Sequence, residues 1–167
     1  MLLTAHLPLR HPERMVRTAK LQDADEVRRL SEQFAPSARW EQSTELFHRE
    51  FTRIVCDDRF LLAVTDRVDG QLTGYLLAQD HGPGLRRSFT VGRIHDLFVR
   101  ADSRLQGIAR ELMAAAATWA AERPLPMILD WQASPTSIEF YRGLGYEPDF
   151  RGDFDQYPEF SLDLREQ

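Results

Sequence analysis

The sequence predicts one α/β domain of the α+β kind, a mixed and mostly antiparallel sheet with helices on its faces. Apolar runs suited to strands alternate with stretches of three- and four-residue apolar spacing, in the order strand, helix, helix, three strands, helix, strand, helix, strand. The central strands follow one another through short turns, as hairpins do, whereas later strands are separated by helices that allow parallel crossovers. The chain of 167 residues, 43% hydrophobic and 28% charged, is large enough for a single core that needs neither disulfide nor metal.

Residues 1–14 read as a loose extension, because Leu2, Leu3, Leu7 and Leu9 are interrupted by His6, Pro8 and Pro12. No basic segment precedes them, which argues against a signal peptide, and Met15 is an alternative start. The domain is expected over 15–167. Met15 to Ala19 is strand-like, and Asp23 is placed to cap a helix carrying Val27, Leu30 and Phe34 that Pro36 ends. Ser43 opens a second helix with Leu46, Phe47 and Ile54 on its apolar side. Phe60 to Thr65 and Leu72 to Ala78 form a hairpin through Asp69-Gly70. Residues 81–89 read as a loop before a strand from Gly92 to Arg100. A helix from about Gly107 to Arg123 shows Ile108, Leu112, Ala115 and Trp119 on one face, and Pro124 and Pro126 stop it. Pro126 to Trp131 is a short buried strand. Ser134 is a cap with Pro135 at the first helical position, Gly143 and Gly145 end that helix, and Phe160 to Leu164 is the last strand.

Composition removes several function classes. Twenty-six acidic against 21 basic residues leave a net charge of −5, which disfavours a nucleic-acid binder. The longest uncharged stretches are about ten residues, half of what a membrane span needs. Cys56 is the only cysteine, which excludes an internal disulfide and a Cys-rich metal site and fits a cytoplasmic protein. Lys20 is the only lysine, and no phosphate-binding Gly-rich motif precedes it.

Chemistry concentrates in two stretches. In Leu97-Phe98-Val99-Arg100-Ala101-Asp102-Ser103-Arg104-Leu105-Gln106-Gly107-Ile108-Ala109-Arg110, a buried strand turns into a helix. The amides of such a turn lack intrahelical partners and carry positive potential, so they suit a phosphate, with Arg104 and Arg110 adding charge. An ordinary turn with two solvated arginines reads equally well from spacing alone. The second stretch is Ser134-Pro135-Thr136-Ser137-Ile138-Glu139-Phe140-Tyr141-Arg142-Gly143-Leu144-Gly145-Tyr146.

Together the two stretches resemble the GNAT superfamily of acyl-CoA-dependent N-acyltransferases. Arg104, Gly107 and Ala109 match its (Arg/Gln)-x-x-Gly-x-(Gly/Ala) pyrophosphate loop. Phe140, Tyr141, Gly145 and Tyr146 match its second motif, where Ser134 and Ser137 replace the usual Asn and Ala and weaken a side-chain contact to the cofactor. The resemblance implies six to seven strands with four helices on two faces, splayed at strands four and five. It implies acetyl-CoA as co-substrate, with no metal, and transfer to a primary amine of a small molecule by direct attack in a ternary complex. The strand-four backbone at Leu97, Phe98 and Val99 would receive the pantetheine arm, while the amides of Leu105, Gln106, Gly107, Ile108, Ala109 and Arg110 would cradle the pyrophosphate.

The resemblance also suggests that the Tyr141 hydroxyl protonates the CoA sulfur, the plain alternative being a core tyrosine. Some small-amine acetyltransferases of the family, including the diamine type, read Ile-Glu-Asp on strand four. Here Ile94-His95-Asp96 puts histidine in the general-base position, and an imidazole near its ordinary pKa of about 6.5 titrates where a base is needed. Asp96 would stay anionic and attract a cationic substrate or orient a water. Strand alternation points His95 and Asp96 to opposite faces unless a bulge intervenes, and a structural histidine beside a water-chain base remains the other reading. The acceptor pocket is expected from about Phe34 to Glu45 and His81 to Phe89, which carry no motif. His6, His11, His48 and His81 read as surface residues, and Asp149, Asp153 and Asp155 as a solvated acidic loop. A non-catalytic acyl-CoA-binding regulatory module, another acyl group, or a protein or peptide amine would fit the same motifs. Oligomeric state is open, a homodimer being common among similar proteins.

Overall fold

The structure, a computed structural model, describes residues 15–34, 43–66, 70–149 and 157–165. The expected extension over 1–14, most of the first acceptor segment, and Asp153 and Asp155 lie outside the described residues. The elements are β1 (Val16–Thr18), α1 (Ala24–Phe34), α2 (Thr44–Val55), β2 (Phe60–Asp66), β3 (Leu72–Pro83), β4 (Thr90–Val99), α3 (Ile108–Ala121), β5 (Met127–Gln132), α4 (Ile138–Arg142) and β6 (Glu159–Asp163). Six strands lie in chain order across one sheet, antiparallel throughout except for the parallel pair β4 and β5. The long α3 crossover between those two is what permits their parallel direction.

Helices cover both faces, so β2 is buried from Leu61 to Thr65 without alternation. On one face Leu76, Ile94, Leu112, Met127, Leu129 and Trp131 pack around α3. On the other, Val27 and Leu30 of α1 and Phe51 of α2 pack on Leu62, Val64, Tyr75 and Phe98. The α3 core face is Ile108, Leu112, Met113, Ala116 and Ala120. This corrects the expected stripe: the buried positions Ile108, Leu112, Ala116 and Ala120 keep a four-residue spacing, so Ala115 and Trp119 lie half-buried at its flank, Trp119 still packed against the core.

One expected cap is corrected, and a second, Ser134, holds its N-cap position before Pro135 without a side-chain bond to the helix amides. Asp23 lies inside the helical entry, in a 3₁₀ turn over Leu21–Asp23, and its carboxylate accepts from Lys20 N at 2.6 Å and from Arg17. Ser134 makes no side-chain cap bond; its Oγ lies 2.7 Å from Ser137 Oγ, and the first turn, Pro135–Ser137, is 3₁₀. By contrast Ser43 Oγ accepts from Leu46 N at 3.1 Å and caps α2 as its position predicts.

The loop expected over 81–89 is shorter than the sequence suggests. β3 runs to Pro83, which pairs with Thr90 across an irregularity after Asp80. The buried Asp80 carboxylate holds this end, accepting from Gly82 N at 2.8 Å and Thr90 Oγ1 at 2.7 Å, with the Arg123 guanidinium 3.3 Å away. Glycine and proline, which normally break strands, are tolerated because side-chain bonds replace the missing ladder bonds.

Candidate functional site

The parallel ladder between β4 and β5 is short. It runs from Thr90↔Met127 to Arg93↔Asp130 and stops, although β4 continues to Val99. Gly92 draws the two strands together at the paired end, where a Cβ would stand 2.5 Å from Met127 Sδ. Beyond Arg93 the strands part, and β4 presents an open edge.

The register with β3 shows which backbone groups that edge exposes. Arg100 N donates to Thr73 O at 2.9 Å, so Arg100 and Thr73 form a hydrogen-bonded pair; Phe98 with Tyr75 and Asp96 with Leu77 follow two residues apart. Leu97 and Val99 therefore turn their N–H and C=O groups away from β3, into the gap. Phe98, between them, turns its backbone to β3 and its ring to the core under α1, 5.8 Å from the Phe34 ring. Arg104 Nε donates to Val99 O at 3.2 Å, tying the following loop to this edge.

That loop has two left-handed residues, Leu105 at φ 60° and Gly107 at φ 86°. Glycine adopts this region freely, whereas leucine does so at a cost of about 1 kcal/mol. The two left-handed residues flank Gln106 just before α3, whose first-turn amides lack intrahelical partners and suit anions. A Cβ on Gly107 would meet nothing within 4 Å, so the space over it is open to a ligand. Arg104, Leu105, Gln106, Gly107 and Arg110 are exposed, Ala109 is half-buried, and Ile108 anchors the turn in the core.

Tyr141 of α4 faces the same side of the sheet as α3. It is 6% exposed and its ring lies 5.5 Å from Trp131, 5.1 Å from Phe160 and 4.9 Å from Phe140. Burial pushes its hydroxyl up to about 12, so it is a protonated donor at neutral pH. Ser134 Oγ is hydrogen-bonded to both Ser137 Oγ and Thr136 Oγ1 at the entry to α4.

His95 and Asp96 do not obey alternation. Leu77 pairs with Asp96 but Ala78 pairs with Ile94, which leaves His95 as the extra residue of a bulge. Ile94, Leu97 and Val99 remain on the α3 face, while both polar side chains emerge on the α1 and α2 face. Asp96 Oδ2 accepts from the buried Tyr75 hydroxyl at 3.3 Å. Burial raises the Asp96 carboxyl above its usual range, against the hydrogen bond from Tyr75 and the field of His95. Partial desolvation lowers His95 below the ordinary imidazole value, and the Asp96 charge opposes this without cancelling it. The exposed His95 ring has Nε2 3.2 Å from Gln79 Oε1 and lies edge-on to His81 at 6.2 Å.

Tyr75 and Gln79 were absent from the sequence-derived candidates, and His81 entered only as the first residue of the expected acceptor segment and as a surface histidine. They alternate along β3 and so share a face, but only the bulge in β4 brings them opposite His95 and Asp96. His48, read as a surface residue, is half-buried and its Nε2 pairs with Asp25 Oδ1 at 3.0 Å.

The model of the Acetyltransferase (GNAT) family matches residues 25–146. Among curated proteins none matches the sequence. Several solved structures share the fold at low identity. Glucosamine-6-phosphate N-acetyltransferase from Arabidopsis thaliana is 17% identical, with 81% of this chain and 92% of that one covered and a TM-score of 0.69. A GNAT-family acetyltransferase from Streptococcus pneumoniae is 13% identical, covering 91% and 100%, with a TM-score of 0.71. AAC(6')-Iy, in complex with a bisubstrate analogue, CoA-S-monomethyl-acetylneamine, is 20% identical, covering 85% and 96%, with a TM-score of 0.71.

Proposed function

The chain belongs to the GNAT acetyltransferase family, and on that premise we propose that it transfers an acetyl group from acetyl-CoA to a primary amine of a small-molecule acceptor, by direct attack in a ternary complex. The observation that carries this reading is the parting of β4 from β5 beside the left-handed turns of 105 and 107. The residues present fit a CoA thioester. The amides before α3, with exposed Arg104 and Arg110, suit a pyrophosphate, and the backbone groups that Leu97 and Val99 turn into the gap, of which Val99 O already accepts from Arg104, suit the amides of a pantetheine arm. Acetyl-CoA supplies an acyl group already activated as a thioester.

The chain's own residues supply the proton handling. An alkylamine has a pKa of about 10.4 and must lose a proton before it attacks. His95, held neutral at pH 7 by its lowered pKa, takes that proton. Asp96 offers a carboxylate with no cationic partner among the described residues, and an ammonium group beside it would relieve that burial. A strand-four amide directed into the gap polarises a carbonyl. The Tyr141 hydroxyl, protonated at neutral pH, provides a proton for a departing thiolate. The lone exposed Cys56 suits the reducing cytoplasm.

Thiol release from acetyl-CoA, measured against polyamines, amino acids, aminoglycosides and peptide N-termini, tests the proposal. Amine-dependent release with an acetylated product of matching mass is expected for a small-molecule amine. Tight CoA binding without release for any amine would overturn turnover and leave an acyl-CoA-binding module. A preference for peptides would overturn the acceptor class.

A further inference from the structure

The bulge that brings His95 onto the α1 and α2 face also sets its ring against one residue of β3. Gln79 is half-buried and pairs with Arg93 just before the bulge. Its Oε1 lies 3.2 Å from His95 Nε2, and among the described residues this is the ring's one hydrogen bond. An amide oxygen only accepts, so Nε2 must carry the proton, and the neutral ring keeps its lone pair on Nδ1.

We propose that Gln79 is a positioning residue that selects the Nε2–H tautomer of His95, making Nδ1 the atom that receives the proton of the acceptor amine. The inference rests on the reading of His95 as the base. The charged and titratable groups around the ring do not provide this selection. His81 on β3 meets it edge-on, at 6.2 Å between centroids. Asp96, its neighbour on β4, is bonded to Tyr75. Arg93 on β4 is paired with Asp130 of β5 at 3.0 Å. These groups tune how readily the ring charges, whereas Gln79 determines which nitrogen is free.

The decisive experiment is long-range ¹H–¹⁵N correlation of the imidazoles in uniformly ¹⁵N-labelled protein near pH 8. The His95 signals are identified by their loss in His95→Gln. The wild type is expected to show a protonated Nε2 and an unprotonated Nδ1. Gln79→Leu should give a mixture of tautomers and lower kcat by about tenfold or more with KM for the amine unchanged. Gln79→Glu retains the acceptor oxygen, so it should restore the Nε2–H form and raise the His95 midpoint by about one pH unit. Thermal melting checks that each variant is folded. A wild-type ring protonated on Nδ1, as when the Gln79 amide NH₂ faces it, would overturn the proposal. So would an unchanged tautomer in folded Gln79→Leu. If the tautomer responds as expected but His95→Gln keeps full turnover, the base reading fails, and the pairing loses its catalytic purpose.

Discussion

Replacing Tyr141 by phenylalanine separates chemistry from packing at this site. The ring is 6% exposed and surrounded by Trp131, Phe140 and Phe160 at 4.9–5.5 Å, and all of these contacts survive loss of one oxygen. Among the described residues no hydrogen bond holds the hydroxyl, so its removal strands no partner and should change stability by less than about 0.5 kcal/mol. Truncation to alanine, by contrast, would open a core cavity costing about 3–5 kcal/mol and confuse the two effects. With a hydroxyl pKa pushed up to about 12, about one molecule in 10⁴ is ionised at pH 8, so the group acts as donor across the working range. If it provides the proton for the departing thiolate, Tyr141→Phe should lose about 10² in turnover, equivalent to about 2.7 kcal/mol of transition-state stabilisation. The assay is thiol release at saturating acetyl-CoA, with calorimetric CoA affinity and melting temperature measured alongside. Undiminished turnover would return Tyr141 to the core, and a matching loss of CoA affinity would make it a binding residue.

Three further outcomes are expected. Gly107→Val adds a side chain at φ 86° where nothing lies within 4 Å; it costs about 1–2 kcal/mol of strain and should abolish CoA binding by calorimetry, while unchanged affinity in the folded variant would remove this loop from the cofactor site. The acidic limb of kcat/KM for the amine should fall below the ordinary imidazole value of about 6.5, because the lowered pKa keeps His95 deprotonated to lower pH; His95→Gln should lose the limb and most activity, and a retained limb would move attention to Asp96→Asn. Asp23, lowered chiefly by its hydrogen bond from Arg17, stabilises the fold above the unfolded pKa of about 3.9 and loses that contribution as pH falls through its folded value. Asp23→Asn should therefore cost about 1–3 kcal/mol in urea unfolding at pH 7 and progressively less as the pH is lowered through the acid range, and a cost independent of pH would refute the ion-pair account.

Where local chemistry decides the structure, the sequence was legible. Ser43 caps α2 because its side chain needs only the amide three residues on, and the turn before α3 follows from Gly107 and the solvated residues around it. Legibility failed where the deciding partner is remote. Gly82 and Pro83 read as strand breakers, yet the strand persists because Asp80 and Thr90 supply the bonds that the backbone lacks. The short α4 reads as a longer helix because Pro135 and the later apolar spacing are compatible with either an α or a 3₁₀ first turn. His95 and Asp96 read as opposed because no glycine marks the bulge, whose only trace is the register on β3.

The two halves of the candidate site are written in different ways. The donor half consists of backbone groups: the edge of β4 at Leu97 and Val99 and the amides before α3. Such groups are present whatever the side chains, so a few conformational requirements, a glycine at φ 86° and a strand pair that ends early, are enough to reveal them. The acceptor half consists of side chains drawn from positions far apart in sequence, Gln79 sixteen residues from His95 and Tyr75 twenty-one from Asp96. One extra residue in β4 joins them. Without it His95 and Asp96 would point to opposite faces, and only one of the two pairings, Gln79 with His95 or Tyr75 with Asp96, could form. The bulge therefore sets the acceptor chemistry and leaves the donor groups where the strand already puts them, so substitutions on β3 should alter amine selectivity and pH dependence before they alter the binding of CoA.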